Sequence, residues 1–302
     1  MSQRESRIKD DFTNRLEKSS ESSVEFSFTI GNHLESLLYL DNNWVISNIN
    51  LIFPQEEEQY WEAAMKGYLY KTASAPQVLY EILRDNGNYS KAIQYSFDKR
   101  EIREIREITE NLVSHICYKY LAKKESLENS SSLISQLLNY KNIPQFLILI
   151  HFIWMRRNDS VEDYKNLVYD LWGKLYEILL KEEKNPDYHV VIQHLFKWLE
   201  IFDELDESLV EWLKLSRCIK SVYLRQFVKD LQKYASKSPE WVSEIFLESL
   251  NFGNTLCHKE EDIRDLVDIL FEYGGKENAN KICFHYGSKG LHFLQDIYEK
   301  YN

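Results

Sequence analysis

The sequence predicts an all-α fold, with antiparallel helical hairpins stacked as an irregular α-solenoid of the HEAT or tetratricopeptide kind. Three observations predict it. Ile102, Ile105, Thr109, Leu112, Ile116 and Tyr120 recur every three or four positions, which is one buried helix face. Only 9 Gly and 5 Pro occur in 302 residues, whereas sandwiches and barrels need many turns containing them. The 20 Tyr, 15 Phe and 7 Trp supply large side chains suited to grooves between packed helices.

The elements follow in order. Residues 1–22 read as a polar tail or short helix, ending in the link Glu17-Lys18-Ser19-Ser20-Glu21-Ser22-Ser23. Val24, Phe26, Phe28 and Ile30 alternate with polar residues, as in a strand, but run on into Leu34, Leu37, Leu38 and Leu40 at helical spacing. A lone strand has no partner elsewhere, so one helix is expected there. An apolar stretch from Trp44 to Phe53 ends at Pro54, and Pro54 followed by three Glu within four residues reads as a helix start. That helix carries Tyr60, Ala64, Gly67 and Tyr68. Pro76 opens another, with Val78, Leu79, Ile82 and Leu83 on one face and Gly87 as its stop.

A helix is expected at 101–122, where the Glu/Arg alternation of EIREIREI reads as a solvated, ion-paired face. The polar segment 122–132 reads as a linker. Helices are then expected at roughly 132–139, 143–156, 160–182, 187–203, 207–219, 222–235, 239–251, 260–273, 276–286 and 289–301. The implied division is a tail (1–22), an N-terminal helical part (23–122) and a C-terminal helical-repeat part (133–302). The helix end Glu81–Gly87 resembles Asp268–Gly274, a weak sign of a recurring helix–turn–helix unit.

The bulk properties exclude some functions. A net charge of −11 opposes nucleic-acid binding, which draws its affinity from phosphate neutralisation. The longest apolar run, Phe146 to Met155, is far short of the roughly 18 residues of a membrane span. The start MSQRESRIKDDF has no apolar signal core, and Cys117, Cys218, Cys257 and Cys283 form no CxxC pair. The expectation is a cytoplasmic protein with reduced thiols.

Chemical motifs are absent. His115 with Cys117, Cys257 with His258, and Cys283 with His285 lack the paired spacing of a zinc site, and His189 and His194 fall on different helix faces. No phosphate loop or nucleophile elbow occurs, and the turns Gly274-Gly275-Lys276 and Gly287-Ser288-Lys289-Gly290 read as helix caps. No catalytic residue, cofactor or metal ligand is therefore assigned. Lys119, Lys123 and Lys124 read as compensation of a helix C-terminus. Two surfaces remain as candidates for protein binding. One is the helix end Trp154, Arg156 and Arg157, residue types common in binding hot spots. The other is the acidic cluster Glu200, Asp203, Glu204, Asp206 and Glu207, a docking surface for a basic partner.

Trp44, Leu51-Ile52-Phe53 and Met65-Lys66-Gly67-Tyr68-Leu69 resemble a pattern in the C-terminal helical region of large bacterial anti-phage defence proteins, the STAND-type NTPases and their sirtuin-linked counterparts. The tail from Gly287 to Tyr301, with Gly290, Phe293-Leu294 and Asp296-Ile297-Tyr298, resembles that region's end. The chain departs from the pattern at Met65, where Trp is usual, and at Asn50, where Pro is usual. The resemblance implies a helical sensor or scaffold without enzymatic residues. Its partner would be a phage protein or a companion effector. The alternatives are a helical-repeat adaptor for host protein segments, and an enzyme with a carboxylate–metal site assembled from distant helices.

Overall fold

The computed structural model describes residues 3–17, 22–71, 74–95, 97, 102–218, 224–251 and 259–302. Among the described residues the regular structure is helical throughout, with eighteen α-helices, three 3₁₀ segments and no strand. None of these helices is long and apolar enough to cross a membrane. The chain divides into two compact units, residues 1–149 and 150–302, each with its own buried core. The division falls inside a helix, and the polar segment 122–132 belongs to the first unit.

The first unit holds α1 (Gln3–Leu16), α2 (Val24–Asn32), α3 (Leu34–Leu40), α4 (Asn42–Ile52), α5 (Glu58–Lys71), α6 (Gln77–Asp85), α7 (Asn88–Gln94), α8 (Ile102–Leu121), α9 (Leu133–Tyr140) and the start of α10 (Ile143–Met155). The expected single helix at 24–40 is two helices, broken at His33. Packing imposes the break. α2 lies directly on α5, and a Cβ at Gly31 would sit 2.0 Å from the Ala64 carbonyl oxygen. A Cβ at Gly67 would sit equally close, 2.0 Å, to the Phe28 oxygen. Two backbones touch at this crossing, and only glycine fits on either side. α3 turns away at His33 to pack on α4 instead.

Local chemistry sets the other boundaries. The Ser23 hydroxyl accepts from the Phe26 N–H at 3.2 Å and starts α2, and Asp41 accepts from Trp44 N at 2.9 Å and starts α4. Pro54 opens a turn, closed by Glu57 N donating to Pro54 O at 2.9 Å, so α5 begins only at Glu58. Gly87 ends α6 at φ 73°, a left-handed conformation that favours glycine. The Glu/Arg side chains at 101–106 lie outside the described side chains.

The second unit holds the rest of α10, then α11 (Tyr164–Lys181), α12 (His189–Leu195), α13 (Glu207–Leu213), α14 (Leu224–Ala235), α15 (Pro239–Asn251), α16 (Glu260–Tyr273), α17 (Lys276–Ser288) and α18 (Gln295–Tyr301). The expected helix at 187–203 is instead α12 between two 3₁₀ segments, Pro186–Tyr188 and Phe196–Ile201. The tighter winding accompanies the burial of Trp198, whose indole N–H donates to the Ile150 carbonyl at 2.9 Å. Trp198 packs edge-on against Trp172 at 6.1 Å, and Trp172 packs against Trp212 at 5.7 Å. The Tyr234 hydroxyl points at the carbonyls of Leu199 and Phe202, at 2.7 and 2.6 Å, and burial pushes its phenol up to about 12.

From α14 onward the helices pack both on the next helix and on the next but one. α14 packs on α15 and α16 on α17, while α14 also packs on α16 and α15 on α17. Gln232 donates to the Asp262 carbonyl at 2.7 Å, and Asn278 donates to Ser243 Oγ at 3.1 Å, tying one hairpin to the next. Gly274 (φ 112°) closes α16, with Gly275 N donating to Leu270 O at 2.7 Å. The expected helix at 289–301 shortens to α18. Gly290 (φ 77°) ends α17 and Leu291 N donates back to Tyr286 O at 3.0 Å, so a loop intervenes.

Candidate functional site

The two surfaces suggested by the sequence meet in the second unit. Trp154, at the end of α10, donates its indole N–H to Glu200 Oε2 at 3.1 Å. The Arg157 guanidinium lies 4.0 Å over the Trp154 ring and 3.4 Å from the same carboxylate. Lys197 sits 5.6 Å from that ring. Arg156 turns aside, pairing with Asp159 at 3.0 Å and lying over Phe152.

The remaining acids are engaged locally. Asp203 pairs with Lys165, whose ammonium holds the carboxyl below the usual range. Glu204 lies 3.7 Å from Lys237. Asp206 caps α13 by accepting from Leu209 N at 2.8 Å, and Glu207 occupies that helix's first turn. Glu200, Asp203 and Glu204 thus each have a cationic partner, while Asp206 serves as a helix cap. Exposed pairs of this kind contribute about 0–1 kcal/mol each. Among the basic residues at the end of α8, Lys119 donates to Gln77 at 2.8 Å, and burial pushes its amine down.

The first unit contains a buried polar network that no local motif announces. The Tyr68 and Tyr89 hydroxyls are 2.9 Å apart, and the Tyr89 hydroxyl is 2.8 Å from His115 Nδ1. Beside them Tyr80 donates to Glu125 Oε1 at 2.8 Å. The buried Glu125 carboxylate also accepts from Leu133 N at 2.6 Å and from the Ser132 hydroxyl, fastening the segment 122–132 to the start of α9. Burial raises the phenols of Tyr68, Tyr80 and Tyr89, so they stay protonated donors. Trp61 likewise donates to Asn88 Oδ1 at 2.9 Å. The Tyr68–Tyr89, Tyr89–His115 and Trp61–Asn88 contacts join separate helices, Tyr80–Glu125 joins α6 to the segment 122–132, and the network reads as a core device.

A cleft of about 480 Å³ opens between α17 and α18. Cys283, Phe284, Gly287, Leu291, Leu294 and Tyr298 form most of its wall, with Ser288, His292 and Gln295 completing it. No Lys, Arg, Asp or Glu lines it, in a chain that is 28% charged. Phe284 is 63% exposed and meets Tyr298 edge-on at 5.4 Å. Cys283 is buried, and burial pushes its thiol up to about 11, which keeps this wall neutral. Two ion pairs hold α18 against α16: Arg264 grips Asp296 through two contacts of 2.7 and 2.6 Å, and Lys300 pairs with Asp268 at 2.8 Å.

Among the described residues no group of three or more His, Cys, Asp or Glu is set to hold a metal ion, and Cys257 and His258 lie outside those residues. His115 is instead engaged by Tyr89. Compared with known proteins, the chain matches no family model, no curated sequence and no solved structure.

Proposed function

We propose that this chain is a non-catalytic helical recognition module of bacterial anti-phage defence, which binds a phage protein or a companion effector. The observation that carries the reading is the α17–α18 cleft: an open, uncharged, largely apolar hollow with an exposed aromatic on its wall. Such a patch on an otherwise charged surface is the usual mark of a protein-binding site. The stacking of α14–α15 on α16–α17 supports an irregular solenoid, an architecture that presents extended binding faces. The defence context rests on the resemblance of 44–69 and 287–301 to that family's helical region, and the second of these stretches overlaps the cleft.

The test places the chain, with its neighbouring genes, in a bacterial host challenged with phage. Phe284→Asp and Leu291→Asp are expected to abolish protection and recovery of the companion protein, with circular dichroism unchanged. Full protection by both folded variants contradicts the reading. Recovery of a housekeeping complex, lost in the same variants, assigns the cleft to a general adaptor.

A further inference from the structure

We infer that the buried Tyr68–Tyr89–His115 chain makes the first unit a mild-acid switch. The chain holds His115 in one neutral tautomer, and a proton arriving on that ring reverses the chain and loosens α5 and α7 from α8.

The direction of the chain follows from counting protons, because each hydroxyl has one to give. The Tyr68 hydroxyl is 2.9 Å from the Tyr89 hydroxyl, which is 2.8 Å from His115 Nδ1. Burial raises both phenols, so both keep their protons. Tyr89 can give its proton to Tyr68 or to His115, not to both. Tyr68 is only 5% exposed, and among the described residues its hydroxyl has no other hydrogen bond. Donation from Tyr89 to Tyr68 would therefore leave the Tyr68 proton without an acceptor, a costly state for a buried donor. The arrangement that uses every proton has Tyr68 donating to Tyr89 and Tyr89 donating to Nδ1. Nδ1 is then the bare nitrogen, and the neutral ring carries its proton on Nε2.

A further proton goes to Nδ1 and turns that acceptor into a donor. Tyr89 must then accept from His115 and donate to Tyr68, and the Tyr68 proton loses its acceptor. The charge also arises on a side chain that is 0% exposed, the one buried histidine among the described residues. Both effects favour the neutral ring in the folded chain. The unfolded chain takes up the proton at the ordinary value of about 6.5. The stability that neutral His115 contributes is therefore complete above that value and is lost as pH falls below it.

Titratable and charged groups face the chain from the helices around it. Tyr80 of α6 lies 4.9 Å from the Tyr89 ring, and Cys117 follows His115 on α8 with its thiol pushed up by burial. Glu35 of α3 acts on Tyr68, while Glu125, Arg84 and Lys119 act on Tyr80. α9, which also packs on α8, has no Lys, Arg, Asp, Glu or His, and its Tyr140 is exposed. The phenols and the thiol stay protonated in mild acid, so among the linked side chains only His115 changes its charge there.

The test uses the whole chain, with nitrogen-15 NMR of the imidazole and amide hydrogen exchange corrected for the intrinsic rate. The His115 ring is expected as the Nε2–H tautomer at neutral pH, with a titration midpoint below about 6.5. Between about pH 7.5 and pH 5.5, protection of α5, α7 and α8 amides is expected to fall, approaching about tenfold per pH unit, while α14, α15 and α16 hold within about twofold. His115→Asn keeps an acceptor near the Nδ1 position and takes no proton, so it should flatten the fall. The Nδ1–H tautomer, a midpoint at or above about 6.5, or an equal fall in both units overturns the inference. An undiminished fall in His115→Asn overturns it as well. If that variant does not fold, the tautomer and midpoint of the parent chain decide alone.

Discussion

The α2–α5 crossing and the end of α17 use the same residue under opposite circumstances. At the crossing, Gly31 and Gly67 face backbone atoms that leave no space for a methyl group. At the end of α17, Gly287 faces open space within a cleft. The first pair is explained by the folded chain itself. The third has no neighbour within 4 Å of a Cβ built on it, so the folded chain leaves that side of α17 open. Glycine thus reports a close approach at the crossing and an open face at the end of α17.

The comparison breaks most readily at the crossing. Gly31→Val or Gly67→Val should destabilise the first unit by more than about 3 kcal/mol, because the obstructing atoms are backbone and cannot rotate away. Denaturant unfolding followed by circular dichroism measures this, and a loss below about 1 kcal/mol would show that the helices part easily.

The buried network comes next. Glu125→Gln removes the charge that three donors share, and should cost about 2–3 kcal/mol. Tyr89→Phe, which removes one hydroxyl between Tyr68 and His115, should cost about 1–2 kcal/mol by the same measurement.

The smallest effect concerns the hold on α18. The Arg264 pair lowers Asp296 from the ordinary 3.8 to about 2. A lowered carboxyl contributes stability fully above the ordinary value and loses it as pH falls through the folded one. Amide chemical shifts of α18 should therefore move toward those of an undocked helix between about pH 4 and pH 2, and the movement should be weaker in Arg264→Gln. The pair is exposed, so 1 M salt should reduce the effect. Shifts in α18 that ignore both pH and Arg264 would show that its other contacts, Phe271–Tyr301 stacking among them, hold it without the Arg264 pair.

Local signals made much of the fold legible. The bounds of α8, α10, α15 and α16 follow from an apolar stripe and its punctuation, and Gly87 and Gly274 close helices as their positions suggest. The failures lie where distant contacts prevail. The break at His33 depends on α5 pressing against Gly31, and the 3₁₀ winding after α12 accompanies the burial of Trp198 against α10. Neither partner is visible within a local window.

The site was partly legible for the same reason. Trp154 with Arg157 on one helix end, and Glu200 in the acidic cluster, stand out in the sequence as two surfaces, and their meeting is a tertiary fact. The cleft is hidden in the sequence because Gly287 and Gly290 read together as one turn, although only Gly290 has positive φ. Phe284, beside the buried stripe of Ala279, Ile282, Cys283 and Tyr286, was the available signal. The Tyr68–Tyr89–His115 chain offered none, being spread over three helices.

The most direct test of the central claim is the melting temperature of two alanine variants side by side. Gly287→Ala should raise it, since the methyl meets nothing and the helix gains about 0.5–1 kcal/mol. Gly67→Ala should lower it by several degrees, since its methyl would meet Phe28 O at 2.0 Å. Opposite signs are the predicted result. A fall of similar size in both would mean that Gly287 is already packed within the chain, and would contradict the reading of the cleft as an open seat.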